Sequence, residues 1–365
     1  MDNQQKRLQK RQRVLKKFNS GTNGLFNKGL FGLPFDVTES ELVVIPVPWD
    51  VTTSFRDGSL EAPEAILKAS WQIDLYNEEF ENTWQQGMAL DKIPTKWKES
   101  SHELKKLRKK ILHKAFKSQN VTFNTELFND YKNINYLSRL LNEWVEQRAE
   151  HHLGLGKIVG VLGGDHSAPL GLMVALSKMH DSFSVLQIDA HADLREKYEG
   201  FDFSHASIMF NALKISQIEK LVQVGIRDYC DEENKRIREN PGRIKIFTDT
   251  QLKHHLFSGK TWASQVKSII SSLGEKVYIS FDIDGLDPYL CPNTGTPVPG
   301  GLSFDQVTYL LSEVQGSNKL IIGFDLCEVS PGLNKNEDWD ANVGMRILYQ
   351  LCSRSLLSAK NKIPA

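Results

Sequence analysis

Four short stretches hold most of the side chains able to do chemistry: GGDHS (163–167), DAHAD (189–193), DIDGLDP (282–288) and CEVSP (327–331). They supply His166, Asp189, His191, Asp193, Asp282 and Asp284, with a further acid at Glu328. Two imidazoles and four carboxylates suit a hard or borderline divalent ion such as Mn²⁺, with Ni²⁺, Fe and Co compatible, and the absence of thiolates among them points away from structural zinc. At about 3.3 Å per residue, Asp282 and Asp284 share one face of an extended chain about 6.6 Å apart, close enough to reach one ion or two adjacent ions. Asp189 and Asp193 would stand about 13 Å apart in a continuing strand, so the strand must end near Asp189 and curl Asp193 back. Four carboxylates this close would raise one another's pKa severely, which two cations relieve. Two adjacent ions also lower the pKa of a shared water, so hydrolysis is the expected reaction class.

Each cluster follows a run that reads as a strand. From residue 42, Val- and Ile-rich runs at 42–47, 157–162, 183–188, 221–226, 243–247, 276–281 and 320–326 alternate with helical periodicity. Helices are expected at 61–70, 133–152, 168–180, 231–240, 261–273, 304–315 and 341–357. This is the pattern of an α/β fold with a mainly parallel sheet. Ligands in such sheets bind beyond the carboxyl ends of the strands, so the four clusters should converge on one rim. Residues 42–365 read as a single domain, preceded by a basic extension over 1–41. A polar, Lys-rich insertion at about 76–132 offers a helix near 100–117 and no convincing strand, and is expected to lie on the surface.

The chain has 365 residues, 40 % hydrophobic and 25 % charged, which is the composition of a soluble globular protein. Lys plus Arg and Asp plus Glu are 45 each, so no global field favours nucleic acid or an anionic membrane. Four scattered cysteines without a CxxC pair fit reduced thiols in the cytoplasm, and neither a signal peptide nor a membrane span is expected. The first 17 residues carry seven basic residues against one acidic, read as a solvated helix or frayed arm. His151 and His152 read as solvated residues ending a polar helix. Asp165 reads as a helix cap or an orienting acid rather than a ligand.

GGDHS, DAHAD and SFDIDGLDP, in this order, resemble the three metal signatures of the ureohydrolase family, which includes arginase, agmatinase, guanidinobutyrase and formimidoylglutamase. PVPWDVTTSFRDGSLEAPEAI (46–66), TGTPVPGGLS (294–303), which contains Thr296, and DLCEVSP (325–331) extend the likeness. The resemblance implies a three-layer α-β-α arginase-like fold and two Mn²⁺ per subunit, with Ni²⁺ as an alternative. One ion would be held by His166, Asp189, Asp193 and Asp282, the other by Asp189, His191, Asp282 and Asp284, so that Asp189 and Asp282 bridge. It further implies that Glu328 grips a guanidinium, that His205 is a proton shuttle at the entrance, and that Asp193 passes a proton from the attacking hydroxide to the departing amine. Arg195 and Thr296 are the remaining candidates for substrate contact. Family members are usually trimers or hexamers, so a homo-oligomer is expected.

LREKYEGFDFSHAS (194–207) lacks the Asn- and Ser-rich loop of arginases and is close to agmatinase-like members. Glu196, Glu199 and Asp202 make the loop acidic, which suits the ammonium end of agmatine. An inward-pointing Arg195 would instead suit guanidinobutyrate or formimidoylglutamate. Free guanidine is a further alternative, with Trp49 and Trp339 filling an outer pocket. Two rivals remain: a catalytically silent metal-binding homologue with a regulatory role, and a single-zinc deacetylase on the same fold.

Overall fold

The computed structural model describes residues 3–22, 29–117, 125–332 and 338–360, so parts of the 1–41 extension and of the 76–132 insertion lie outside it. Among the described residues, eight parallel strands form one sheet: β1 Leu42–Val47, β2 Met88–Leu90, β3 Ile158–Gly163, β4 Phe183–Ile188, β5 Ile218–Ile226, β6 Ile244–Thr248, β7 Lys276–Asp282 and β8 Leu320–Cys327. Their order is β2-β1-β3-β8-β7-β4-β5-β6. The helices are α1 Asn3–Leu15, α2 Ala62–Ala69, α3 Thr95–Lys117, α4 Thr125–Gly154, α5 Leu170–Ser177, α6 Ile208–Ala212, α7 Asp231–Glu239, α8 Asp249–Phe257, α9 Trp262–Ser271, α10 Phe304–Gly316 and α11 Trp339–Lys360.

Period-two alternation along buried strands sends side chains into two cores. Leu186, Val222, Ile279 and Phe281 face one core with Ile66 of α2, Leu252 of α8, Val266 of α9, Leu310 of α10 and Leu348 of α11. Val185, Leu221 and Tyr278 face the other, with Ile111 of α3, Val145 of α4, Leu172 of α5, Ile208 of α6 and Ile237 of α7. Helix, sheet and helix therefore make three layers, because a sheet apolar on both faces must be covered on both. After β3 the chain skips two positions to lay down β4, and β8 and β7 later fill them. That break in strand order is where a crevice opens above a parallel sheet.

The segment 76–132 differs from its sequence reading in two respects. Met88–Leu90 forms β2, paired in parallel with β1 from Leu42↔Met88 to Val44↔Leu90; three residues are too short to show a strand period. Nor does α3 simply lie on the surface, since Trp97, Leu104 and Ile111 enter the core and α3 and α4 pack as a helical hairpin. The amino-terminal arm is likewise anchored. Arg7 and Arg11 on α1 are buried, pair with Glu41 at 3.4 and 2.6 Å, and reach the Leu155 and Gln86 carbonyls. Ahead of β1, Leu30, Phe31 and Leu33 join the same core as α11. Among the described residues no helix is long and apolar enough to cross a membrane.

His152 is not solvated but 2 % exposed, its Nε2 2.9 Å from Asp91 Oδ2, while Arg148 holds the same carboxylate with two hydrogen bonds. Burial alone would raise the Asp91 pKa, but the bonds from His152 and Arg148 outweigh it and hold the carboxyl well below the usual range. The folded value lies below the unfolded one, near 3.9, so this stabilisation is complete above that pH and is lost as pH falls. Asp91→Asn is expected to lower unfolding free energy by about 2 kcal/mol near pH 7 and by only somewhat less near pH 3, because the contribution disappears only as pH falls through the folded pKa. Urea denaturation at the two pH values measures the difference.

Candidate metal centre

All four sequence clusters meet at the carboxyl ends of the central strands β3, β4, β7 and β8. Strand β4 ends at Ile188 and the chain curls as the spacing required, with Asp193 at φ 53°. Glu328, just past β8, sits at φ 61°. Left-handed backbone at a non-glycine residue is strained and persists where surrounding structure imposes it. Crowding also fixes glycines: a Cβ on Gly164 would meet the Trp49 carbonyl oxygen at 1.7 Å, and one on Gly285 the Asp189 nitrogen at 2.7 Å.

His166 Nδ1 lies 3.0 Å from Asp189 Oδ2, 3.0 Å from Asp193 Oδ2 and 3.3 Å from Asp282 Oδ2. His191 Nδ1 lies 3.0 Å from Asp284 Oδ2 and 3.6 Å from Asp189 Oδ1. Donor atoms of His166, Asp189 and Asp282 converge in one group, and those of Asp189, His191 and Asp284 in a second, so Asp189 belongs to both. Asp193 approaches the first group through His166, whereas Asp282, the other expected bridge, falls in the first group alone.

These residues fit a pair of cations. His166 Nε2 is engaged by Ser280 Oγ at 2.9 Å, whereas Nδ1, fully buried among three carboxylate oxygens, makes a properly aligned hydrogen bond to none of them. That is the arrangement of an imidazole whose far nitrogen is anchored while the near one is left to a metal. The acids also need compensation. Burial, then the Asp189 charge, pushes Asp193 up to about 7, and burial with the neighbouring acids raises Asp282 and Glu328 well above the carboxylate range. Cations in the two groups would remove that penalty.

A cavity of about 290 Å³ opens over the centre, walled by His191, Asp193, Arg195, His205 and Thr296 with Ser54, Phe55, Tyr198, Asp228, Tyr229 and Glu233. His205 opens the 3₁₀ turn His205–Ser207, its Nδ1 3.2 Å from Ser204 Oγ and its ring edge-on to Tyr198. Burial first, then the charges of His191 and Arg108, lowers its pKa to about 3 in the metal-free protein. Thr296 Oγ1 donates to Asp284 Oδ2 at 3.4 Å. Glu328 lies outside this lining and accepts the His166 amide on Oε1 at 3.0 Å. Asp165 is no ligand: Oδ1 accepts from Ser167, and Oδ2 accepts from Thr52, whose hydroxyl stands 3.5 Å from His205 Nδ1.

Two expectations need correction. Of the acids in 194–207, Glu199 is held by Arg108 and Asp202 by Lys197, and none lines the cavity. Besides Asp193, the carboxylates that do are Asp228 and Glu233, which follow β5, a strand whose polar sequel carries no signature of its own. Arg195 lines the cavity, its guanidinium over Tyr198 and its Nε 3.8 Å from Glu233. Trp49 is fully buried against Trp97, and Trp339 is half exposed and bonded to the Tyr289 carbonyl; the cavity's aromatic residues are Phe55, Tyr198 and Tyr229. The sequence reading also passed over Arg227, whose guanidinium donates to the carbonyls of Gly225, Asp284, Leu286 and Val298 and so ties β5 to the loops on either side of Asp284 and Thr296.

A parallel three-layer sheet with this rim is the arginase fold, and the arginase-family profile matches residues 40–353. The chain belongs to the arginase family. It is 33 % identical to the N(1)-aminopropylagmatine ureohydrolase of Thermus thermophilus over 303 residues, covering 80 % of this chain and 84 % of that protein. It is 28 % identical to the agmatinase of Cronobacter sakazakii, covering 87 % and 88 %. The crystal structure of the agmatine ureohydrolase of Thermoplasma volcanium superposes with a TM-score of 0.68 at 23 % identity, over 96 % of this chain and all of that one.

Because Asp189 is common to both ligand groups, Asp189→Asn is expected to weaken both metal equivalents, whereas Asp284→Ala weakens chiefly one. Metal-dependent gain in thermal stability, which grows as RT ln(1 + [L]/Kd), reports the difference on metal-stripped protein.

Proposed function

We propose that the protein hydrolyses agmatine to putrescine and urea with two Mn²⁺ ions. The observation carrying this reading is the pair of ligand groups sharing Asp189 at the floor of a cavity whose outer wall includes the carboxylate of Asp228. His166, Asp189, Asp193 and Asp282 would hold one ion, and Asp189, His191, Asp282 and Asp284 the other. When bound, the ions supply a water acidified toward neutral pH and a positive field over the reacting carbon.

The chain's own groups divide the remaining work. Glu328 is the carboxylate assigned to the planar guanidinium, which a carboxylate matches in charge and geometry. Asp193, at the cavity wall, accepts a proton from the attacking water and delivers it to the amine nitrogen as the C–N bond breaks. Water and a guanidinium thus give urea and an ammonium with no net proton change. His205 is assigned proton exchange at the entrance, with Thr296 and Arg195 shaping the wall. Phe55, Tyr198 and Tyr229 flank an aliphatic tail, and Asp228 offers a negative charge to a cationic end. The named activity of the Thermus thermophilus relative makes N(1)-aminopropylagmatine, a longer cation, the second substrate to compare.

Urea release by protein loaded with Mn²⁺ or Ni²⁺ tests the reading on agmatine, N(1)-aminopropylagmatine, guanidinobutyrate, arginine and guanidine. Agmatine should show the highest kcat/KM, and Glu328→Gln should reduce it about a hundredfold or more. A higher kcat/KM for arginine or for guanidine would overturn the assignment. A protein holding two equivalents of Mn²⁺ that releases no urea from any of them would be the silent homologue.

A further inference from the structure

Two buried amides beneath the centre have no role in the reaction above. Gln187 on β4 and Gln223 on β5 are register partners, both fully buried and flanked along their strands by apolar residues. A primary amide in such a place is costly unless its hydrogen bonds are made there.

Gln223 Nε2 donates to Gln187 Oε1 at 2.6 Å and to the Ala192 carbonyl at 2.8 Å. With its oxygen occupied, the Gln187 amide has one orientation, and Nε2 faces Asp189 Oδ2 at 2.8 Å and the His191 carbonyl at 3.2 Å. The other oxygen of Asp189, Oδ1, accepts the His191 backbone N–H at 2.6 Å. Each oxygen of the shared carboxylate therefore carries one fixed donor, while Oδ2 looks toward His166 and Oδ1 toward His191. Rotating the carboxylate would break both bonds. Gln223 Oε1 is buried without a partner, so the Gln223 side chain is held there through the donors of its amide nitrogen.

We propose that Gln187, oriented by Gln223, is a positioning residue that locks the Asp189 carboxylate so that one oxygen serves each ion. The proposal rests on the two-ion reading of the site. It also assigns the amides a part in holding the DAHAD curl, through the His191 and Ala192 carbonyls.

Gln187→Met keeps the length of the side chain and removes the donor; Gln223→Met removes the group that orients it. Equilibrium dialysis against Mn²⁺ counts and weighs the ions, and electron paramagnetic resonance reads whether they form an exchange-coupled pair. Gln187→Met should fold, as circular dichroism checks, yet bind the weaker ion about ten- to a hundredfold less tightly, with the coupled-pair spectrum lost at limiting Mn²⁺. Gln223→Met should show a smaller loss in the same direction, and it carries the test if Gln187→Met does not fold. Unchanged affinity and an unchanged coupled-pair spectrum in the folded variants would overturn the positioning role alone. Wild-type protein that binds a single ion would overturn the two-ion reading, and the proposal with it.

Discussion

The structure is organised around one electrostatic constraint: four aspartates and a glutamate, all nearly or fully removed from water, within reach of two imidazoles. Burying so much like charge is tolerable only where cations or protons offset it, and the surrounding chain is arranged to keep the carboxylates in place rather than let them spread. Strands end where the acids begin. Asp193 and Glu328 accept left-handed backbone, and Gly164 and Gly285 pack against backbone that leaves no room for a side chain. Side chains then fill the remaining valences, Ser280 behind His166 and Gln187 behind Asp189. The core helices supply the rigidity that such geometry needs; the skipped strand positions supply the crevice.

Much of this was legible in the sequence, for identifiable reasons. Strands buried on both faces read as continuous apolar runs, so β1 and β4 begin and end at the expected residues and the other long strands differ at their ends by a few. The convergence of the acids and imidazoles was legible because a string such as DAHAD is energetically implausible as core and so must face something charged. Partners supplied by distant segments were not legible. Nothing local to Glu199 indicates that Arg108, 91 positions earlier, neutralises it, and nothing in EWVEQRAEHH indicates that Asp91 draws His152 inward. The same limit hid β2, whose three residues are held by pairing with β1, and α8, whose amphipathic period is weak.

The loop over 194–207 illustrates how far tertiary pairing can reverse a compositional reading. Its acids give 194–207 a negative sequence, but once Arg108 and Lys197 take Glu199 and Asp202, the charge presented to the cavity beyond Asp193 comes from Asp228 and Glu233 instead. Glu233 has its oxygens occupied by the Leu194 and Cys230 amides, so it serves chiefly to hold the loop against α7. Asp228 carries the more available charge.

The hairpin of α3 and α4 grips this loop at several points. Arg108 takes Glu199, Asn135 bonds both the Gly200 carbonyl and the Asp202 amide, and Tyr131 stands over Gly200 so closely that a Cβ there would meet its ring at 2.6 Å. Lys105 and Ser101 hold Asp50, which in turn accepts the Gly58 amide near the opposite lip of the cavity. The mouth of the cavity is thereby held by a hairpin that contributes no residue to either donor group. Drift in a polar helical hairpin, which tolerates change far better than a ligand cluster does, can reshape the mouth of the enzyme while every residue that performs the reaction stays the same.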